Sequence, residues 1–177
     1  MTMAPDAADL IDTIAKSKIT EVLTRYSRGI DRCDIETLTA VFWPDATCDY
    51  GSGSQNALEW SRATVAALKG MLRTMHAVSN FLIEVHDDDA VAETYCQAFH
   101  ELETDGGRRE MLVAGRYLDQ LQRREGSWRI SQRLYVMDWN RNGPSTCEWD
   151  AGIYATLRHR GDRYPRDLSS AVFRRDT

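Results

Sequence analysis

Residues 25–51, RYSRGIDRCDIETLTAVFWPDATCDYG, decide the fold. They contain the end of an amphipathic helix, a short second helix that Asp34 can cap, and a brief strand over residues 47–50 that leads into a glycine loop. Pro44 is expected to stop the short helix, because proline interrupts helical hydrogen bonding. The buried side of that helix is predicted to be Ile35, Leu38, Val41 and Phe42. The two helices therefore form a hairpin.

The chain before this stretch repeats apolar residues every three or four positions, from Leu10 to Ile30. This spacing predicts one amphipathic helix that begins after Asp6 or Asp9 and ends near Asp31. After the glycine loop, residues 58–72 show the same period and predict a third helix.

From Met75 onwards the pattern changes to strands. Four long strands are predicted at residues 75–85, 91–102, 111–121 and 128–139, separated by the turn sequences HDDD, TDGG and RREG. Three helices followed by an antiparallel meander define an α+β fold, in which the helices pack on one face of a strongly curved antiparallel sheet. A pocket between the two layers follows from this arrangement.

The length of 177 residues and the hydrophobic fraction of 42% predict one main domain, residues 1–140. Residues 141–177 are rich in arginine and poor in apolar anchors, so we expect a partly ordered C-terminal arm that folds over a neighbouring subunit. The four cysteines are scattered and are expected to be reduced thiols.

The net charge is −5, with 27 acidic and 22 basic side chains. This balance argues against a nucleic-acid partner, because no uniformly basic surface is available. No apolar run approaches the roughly 20 residues that cross a bilayer, and no secretory signal is found, so we expect a cytoplasmic protein without a membrane partner.

The predicted strand over residues 91–102 has one face of small side chains that ends in His100. Such a face either leaves room for a ligand on the concave side of the sheet or packs closely against the third helix. The apolar walls of the pocket predict a small hydrophobic, cyclic substrate such as a steroid or polyketide. The candidate wall residues are Phe42, Trp43, Val65, Leu68, Met71, Cys96 and Val113.

Asp31 and His76 are the candidate acid-base pair. Each has an ordinary alternative, a solvated carboxylate between helices for Asp31 and a surface or core histidine for His76. Together they form a plausible dyad, because a carboxylate that accepts a hydrogen bond from an imidazole orients the ring and stabilises its protonated form. Arg133 faces either solvent or the pocket, and Tyr26 and Tyr50 could offer phenolic donors.

Motifs for nucleotide binding and for serine hydrolases are missing from the sequence. The set of His76, His100 and Asp31 has the composition of a two-histidine, one-carboxylate iron site, but its spacing matches no known motif. We therefore expect neither a metal nor an organic cofactor.

Residues 25–51, the sequence MHAVSN and the segment GRYLDQLQRREGSWRISQR, in this order, resemble the SnoaL-like polyketide cyclases of the nuclear transport factor 2-like superfamily. The likeness runs from Ile14 to Trp139 and excludes the tail. The superfamily includes scytalone dehydratase, bile acid 7α-dehydratase and lindane dehydrochlorinase. The resemblance implies a cone-shaped α+β barrel and an aspartate-histidine pair that removes a proton while a neighbouring group leaves.

Residue by residue, Asp31 and His76 match the acid-base pair of all three enzymes. Tyr26 matches a tyrosine of the bile acid enzyme, Tyr50 one of scytalone dehydratase, and Arg133 an arginine of the dehydrochlorinase. These matches imply catalytic roles for Asp31, His76, Tyr26 and Arg133, and contact with the substrate for Tyr50.

His100 falls close to the second histidine of scytalone dehydratase, although the surrounding strand aligns only with a shift. The dehydrochlorinase has a lysine where this chain has Tyr26. That departure argues against halide elimination and favours a hydroxyl leaving group or an enolising carbonyl substrate.

The sequence thus predicts a cofactor-independent lyase of the dehydratase type. Two alternatives stay open: a polyketide cyclase or ketosteroid-type isomerase with the same pocket, and a non-catalytic binding module or small subunit of an aromatic-ring dioxygenase. A homo-oligomer is expected, a trimer in preference to a dimer, because one face of a curved sheet otherwise remains exposed on so small a domain.

Overall fold

The computed structural model describes residues 6–173, which begin with two helices. The first, α1 (Ala7–Arg32), is capped by Asp6, whose side chain accepts a hydrogen bond from the Asp9 amide. The second, α2 (Ile35–Ala40), is capped by Asp34, which accepts from the Thr37 amide. The predicted cap at Asp34 is confirmed, and of the two predicted starts of the first helix the one after Asp6 is correct. No described helix has the length and apolar character needed to cross a membrane.

The apolar stripe of α1 is buried only from Ala15 onwards. Ile19, Leu23, Tyr26 and Ile30 enter the core, whereas the side chains of Leu10, Ile11 and Ile14 remain at the surface. The periodicity predicted the helix correctly but did not indicate how much of it packs against the sheet.

A six-stranded sheet and a third helix follow. The elements are β1 (Phe42–Asp49), β2 (Gln55–Asn56), α3 (Ala57–Leu68), β3 (Arg73–His86), β4 (Asp89–Thr104), β5 (Gly107–Arg124) and β6 (Ser127–Pro144). The strands lie in the order β2-β1-β6-β5-β4-β3, and the sheet stays open because the edge strands do not pair with each other. The α+β fold with helices on a curved sheet is confirmed. The sheet is mixed rather than wholly antiparallel, since β1 runs parallel to β6.

Pro44 lies in β1 and does not end α2. The short helix stops earlier, at Ala40, and Phe42 already pairs with Ile130 of β6. The pairing register then shifts between Phe42 and Thr47, and this irregular stretch accommodates a residue that cannot donate to the strand ladder.

The concave face of the sheet is the face predicted from β4. Ala92, Thr94, Cys96 and Ala98 are buried beneath the helices, whereas the alternating Val91, Tyr95 and Phe99 are exposed on the convex face. The helices therefore cover the side of the sheet that carries small residues.

Residues 145–173 form a C-terminal segment that returns to α1 of the same chain. It contains a 3₁₀ helix (Gly152–Thr156) and a short helix, α4 (Ser169–Val172). The side chain of Arg32 forms an ion pair with Asp167 at 3.0 Å, and the amide of Tyr164 donates to the Arg32 carbonyl. Contact of this segment with a neighbouring subunit stays a prediction, and residues 174–177 of the predicted arm lie outside the described residues.

Candidate active site

Asp31 and His76 are in direct contact. The carboxylate of Asp31, in the last turn of α1, accepts a hydrogen bond from the His76 backbone amide at 2.7 Å and another from Nδ1 of the ring, also at 2.7 Å. An ionised carboxylate only accepts hydrogen bonds, so Nδ1 is the donor and, in the neutral ring, Nε2 carries the lone pair. The two bonds together fix both the position and the orientation of the imidazole.

Asp31 is ionised at neutral pH although it is buried. Burial by itself would raise the pKa of Asp31, but the hydrogen bonds and the charge of His76 outweigh this effect and hold the pKa below the ordinary value of 3.8. The dyad thus contains, at neutral pH, a carboxylate charge in direct contact with Nδ1 of His76.

His100 lies beside the dyad. Its ring packs edge-on against that of His76, with the centroids 5.4 Å apart, and its Nδ1 is buried without a hydrogen-bond partner in the described structure. Burial and the neighbouring charge of His76 lower the pKa of His100 below 6.5, so its ring is neutral near pH 7. In residues 6–173 no three His, Cys, Asp or Glu side chains lie close enough to hold a metal ion.

A cluster of three phenols, of which Tyr26 and Tyr117 are buried and Tyr50 is half-buried, occupies the concave face next to β1 and β6. The hydroxyls of Tyr26 and Tyr50 are 2.7 Å apart, and the Tyr117 ring packs edge-on against both. Burial raises the pKa of each of the three phenols above 10.0, so they are hydrogen-bond donors throughout the physiological range. Tyr117 was not predicted as a site residue. It pairs with Thr94 of β4, so it lies on the same inward face of the sheet.

Arg133 is fully buried in a bidentate ion pair with Asp119. Nε and Nη2 each donate to one carboxylate oxygen at 2.7 Å, and the guanidinium carbon lies 4.0 Å from the ring centroids of both Tyr26 and Tyr117. The remaining nitrogen, Nη1, is buried without a hydrogen-bond partner among the described residues. Of the two orientations considered for Arg133, the inward one is correct. Asp119 was missed by sequence reasoning.

Cys96 lies between the dyad and the phenols. Its thiol donates to the Tyr117 hydroxyl at 3.2 Å, and burial raises its pKa. Cys96 and Tyr26 belong to the same buried core, beside the buried Asp31. Phe42 belongs to the same interior, with its ring edge-on to Tyr26 at 6.0 Å.

Trp43 is not brought together with the dyad and the phenols, whereas Met71 packs against the core that contains them. The Trp43 indole donates to the Gln122 carbonyl and packs beneath Arg124 and Arg129, near the β5-β6 turn. Met71 is half-buried in the loop between α3 and β3.

A cavity of about 550 Å³ lies under the C-terminal segment, at the ends of β3, β4 and β5. Its walls combine apolar side chains such as Phe99 and Met111 with arginines that include Arg73 and Arg163. His100 is the one predicted site residue in its lining, and its ring also packs against that of His76. Asp31 and His76 do not line this cavity.

The fold and the Asp31–His76 contact define a small α+β protein with a buried carboxylate-imidazole pair. Residues 12–134 match the family of the SnoaL-like domain, and the chain belongs to that family. Among curated protein sequences, none matches the chain at a significant level.

Solved structures share the fold at low sequence identity. A candidate scytalone dehydratase from Novosphingobium aromaticivorans is 20% identical, with a TM-score of 0.66 over 73% of this chain and 87% of that one. A hexachlorocyclohexane dehydrochlorinase, LinA type 2, is 19% identical, with a TM-score of 0.67 over 77% of this chain and 93% of that one. A protein of unknown function from Mycobacterium tuberculosis is 24% identical, with a TM-score of 0.64 over 88% of this chain and 90% of that one.

Proposed function

We propose that this protein is a cofactor-independent lyase that removes a proton with His76 and eliminates water from a hydrophobic cyclic substrate. The observation that carries the proposal is the pair of hydrogen bonds from His76 to the buried Asp31 carboxylate. A general base held in this way contributes typically about 10²- to 10⁴-fold to a rate. Two structural relatives are named as a dehydratase and a dehydrochlorinase, which supports elimination as the reaction class.

In the proposed reaction, Nε2 of His76 takes a proton from a carbon next to a carbonyl or an alkene. The electron pair of the broken C–H bond forms a new C=C bond, and the neighbouring C–O bond breaks. The departing hydroxyl receives this proton from the His76 imidazolium and leaves as water, which returns the ring to its neutral form. The charge of Asp31 stabilises the imidazolium between these two transfers.

The phenol cluster supplies hydrogen bonds to the developing negative charge. Tyr50 is half-buried, whereas the Tyr26 hydroxyl that contacts it is fully enclosed, so Tyr50 is the donor that reaches the substrate. Arg133 acts through its field, because its guanidinium is held by Asp119 and enclosed by two rings. Fixed donors and charges in a water-poor site are effective because they need no reorganisation during the reaction.

The apolar lining of the concave face favours a steroid- or polyketide-like substrate. Val78 and Tyr135 are half-buried, and Met137, which pairs with Gly115 on this face, is 57% exposed. These side chains offer contacts to a ring system next to His76, with few charges.

An isomerase or cyclase is the second candidate, since it begins with the same proton removal. The hydrogen bonds between Asp31 and His76 favour it equally, because they prepare the site for proton transfer. Whether a group then leaves depends on the substrate. The two functions differ in whether the product has lost one water.

The test is a thermal-shift screen of steroid and polyketide alcohols and ketones, followed by mass spectrometry of each stabilising compound after incubation in D₂O. Loss of water supports the lyase, and deuterium exchange without mass loss supports the isomerase or cyclase. If stabilising ligands are found and neither change occurs, both enzymatic functions are contradicted. The variant His76→Ala is the control, and it should bind without turnover.

We also propose that the protein forms a homo-oligomer, a trimer in preference to a dimer, through the convex face of the sheet. Large apolar side chains are exposed on that face, among them Met75, Tyr95, Phe99 and Trp139. Exposed apolar patches of this kind usually mark contact surfaces.

A further inference from the structure

Arg163, in the C-terminal segment, binds the parts of the chain that hold the dyad. Its Nη1 donates to the backbone carbonyl of Asp31 at 2.6 Å and to the hydroxyl of Thr74 at 2.6 Å. Its Nη2 donates to the carbonyl of Leu68 at 3.1 Å. One guanidinium thus joins the ends of α1 and α3 to the first residues of β3.

The two carbonyls lie at the C-terminal ends of helices. Asp31 is in the last turn of α1, and Leu68 is the last residue of α3. Carbonyl groups in the last turn lack partners within the helix and carry partial negative charge, so a cation is stabilised there. The planar guanidinium offers several donors in fixed directions and can serve both helices at once.

The Thr74 contact extends this link to His76. Thr74 is buried and lies two residues before His76 in β3, and the backbone amide of His76 is itself one of the donors to Asp31. A shift of β3 against α1 would therefore change both hydrogen bonds of the dyad. Arg163 opposes that shift because it binds the Asp31 carbonyl on one side and Thr74, two residues before His76, on the other.

The C-terminal segment is also anchored without Arg163. Asp167 forms the ion pair with Arg32 and accepts from the amide of Asp162, and Ser169 accepts from Arg28 at 2.7 Å. Loss of the Arg163 side chain therefore leaves the segment docked on α1, and its effect on the dyad can be measured separately.

We propose that Arg163 is a positioning residue that holds the Asp31 end of α1 at a fixed distance from His76. Its catalytic consequence rests on the lyase function proposed above. The guanidinium binds backbone carbonyls and a hydroxyl of the protein, so its effect on the reaction is exerted through the positions of Asp31 and His76. A misplacement of about 1 Å in a catalytic group can cost about 10²-fold in rate. Arg163→Gln should therefore lower kcat by at least about tenfold, with a smaller change in KM.

The decisive experiment does not require a substrate. The proton on Nδ1 of His76, held between ring and carboxylate, should give a low-field NMR resonance that exchanges slowly with water and is absent in His76→Ala. In folded Arg163→Gln this resonance should broaden or vanish, whereas Arg163→Lys, which keeps the charge, should retain part of it. Thr74→Val removes only the contact to β3, and it should also speed the exchange.

Arg160→Gln is the matched control. Arg160 lies in the same segment, and its described hydrogen bonds go to Asp150 and to carbonyls of that segment rather than to α1 or β3. The Arg160→Gln variant should keep the wild-type resonance of the His76 Nδ1 proton. Unchanged exchange in both Arg163→Gln and Thr74→Val would overturn the proposal, and so would an equal loss in Arg160→Gln. Failure of the lyase proposal would appear instead as missing turnover while the resonance still depended on Arg163.

Discussion

Asp119 and Arg133 face each other across β5 and β6 and form a bidentate ion pair with no solvent exposure of either side chain. The guanidinium is enclosed between the rings of Tyr26 and Tyr117. A charge removed from water in this way is tolerated only because its partner is equally buried and well oriented. The pair therefore couples the stability of the sheet to the electrostatics of the phenol cluster.

Breaking this pair from one side should destabilise the protein severely. Arg133→Met or Asp119→Leu leaves an uncompensated buried charge, which typically costs about 3–5 kcal/mol of unfolding free energy. The double variant should be clearly more stable than either single variant. Denaturant unfolding measures these differences. The control is Arg116→Met, at a partly exposed arginine of β5, the strand that contains Asp119, and it should lose much less unfolding free energy. Additive losses in the double variant would contradict the coupling.

The buried phenols should not ionise while the protein is folded. The pKa of Tyr26, Tyr50 and Tyr117 is raised above 10.0 by burial, whereas in the unfolded chain these groups titrate near 10.0. Their contribution to stability is therefore complete below pH 10 and is lost as pH rises further. An alkaline titration followed by tyrosinate absorbance should show Tyr26, Tyr50 and Tyr117 ionising only with unfolding, and Tyr135, whose pKa burial raises to about 12, should also ionise late. Reversible ionisation of all seven tyrosines before unfolding would contradict the raised pKa of these phenols.

Features that depend on local sequence were predictable. The caps at Asp6 and Asp34 follow from side chains that bond to amides three residues away, and the small face of β4 follows from alternation. Asp31 and His76 were singled out by residue type and resemblance, and the structure places them in contact. Their catalytic roles stay a proposal.

Features that depend on pairing between distant strands were not predictable. The partnership of Asp119 with Arg133 requires the register of β5 against β6, which shifts twice along the pair. The parallel pairing of β1 with β6 is a choice of topology that no local pattern records. Arg163 contacts Asp31 across 132 positions of sequence, and one arginine in an arginine-rich tail has no distinguishing local signal.

Acid should weaken the wild type more than Asp31→Asn. The pKa of folded Asp31 lies below 3.8, so its ionised form contributes stability that is present above pH 3.8 and is lost as pH falls through the folded pKa. Asp31→Asn lacks this contribution at every pH. The difference in unfolding free energy between the two proteins should therefore shrink as pH falls below about 4. A constant difference across this range would refute the assigned charge state.

A charged residue on the convex face should dissociate the oligomer. Trp139 in β6 is 66% exposed in the single chain, so Trp139→Lys should produce monomers in sedimentation experiments because burial of a lysine is costly. Ile11→Lys changes a comparably exposed residue, 64% exposed at the start of α1 and away from the convex face, and should leave assembly intact. A wild-type monomer at micromolar concentration would remove the oligomer proposal altogether.

The dyad should behave as one unit in a double-mutant cycle of turnover. His76→Ala removes the proposed base, and Asp31→Asn removes the charge that stabilises its protonated form while keeping a side chain of the same shape. Each should lower kcat by at least about a hundredfold in a folded protein. The double variant should be little worse than either single variant, because losses within one catalytic unit are not additive. His86→Ala, at an exposed histidine that ends β3, should keep wild-type turnover. Near-wild-type turnover in folded His76→Ala would refute the mechanism, and fully multiplicative losses would show that Asp31 and His76 act independently.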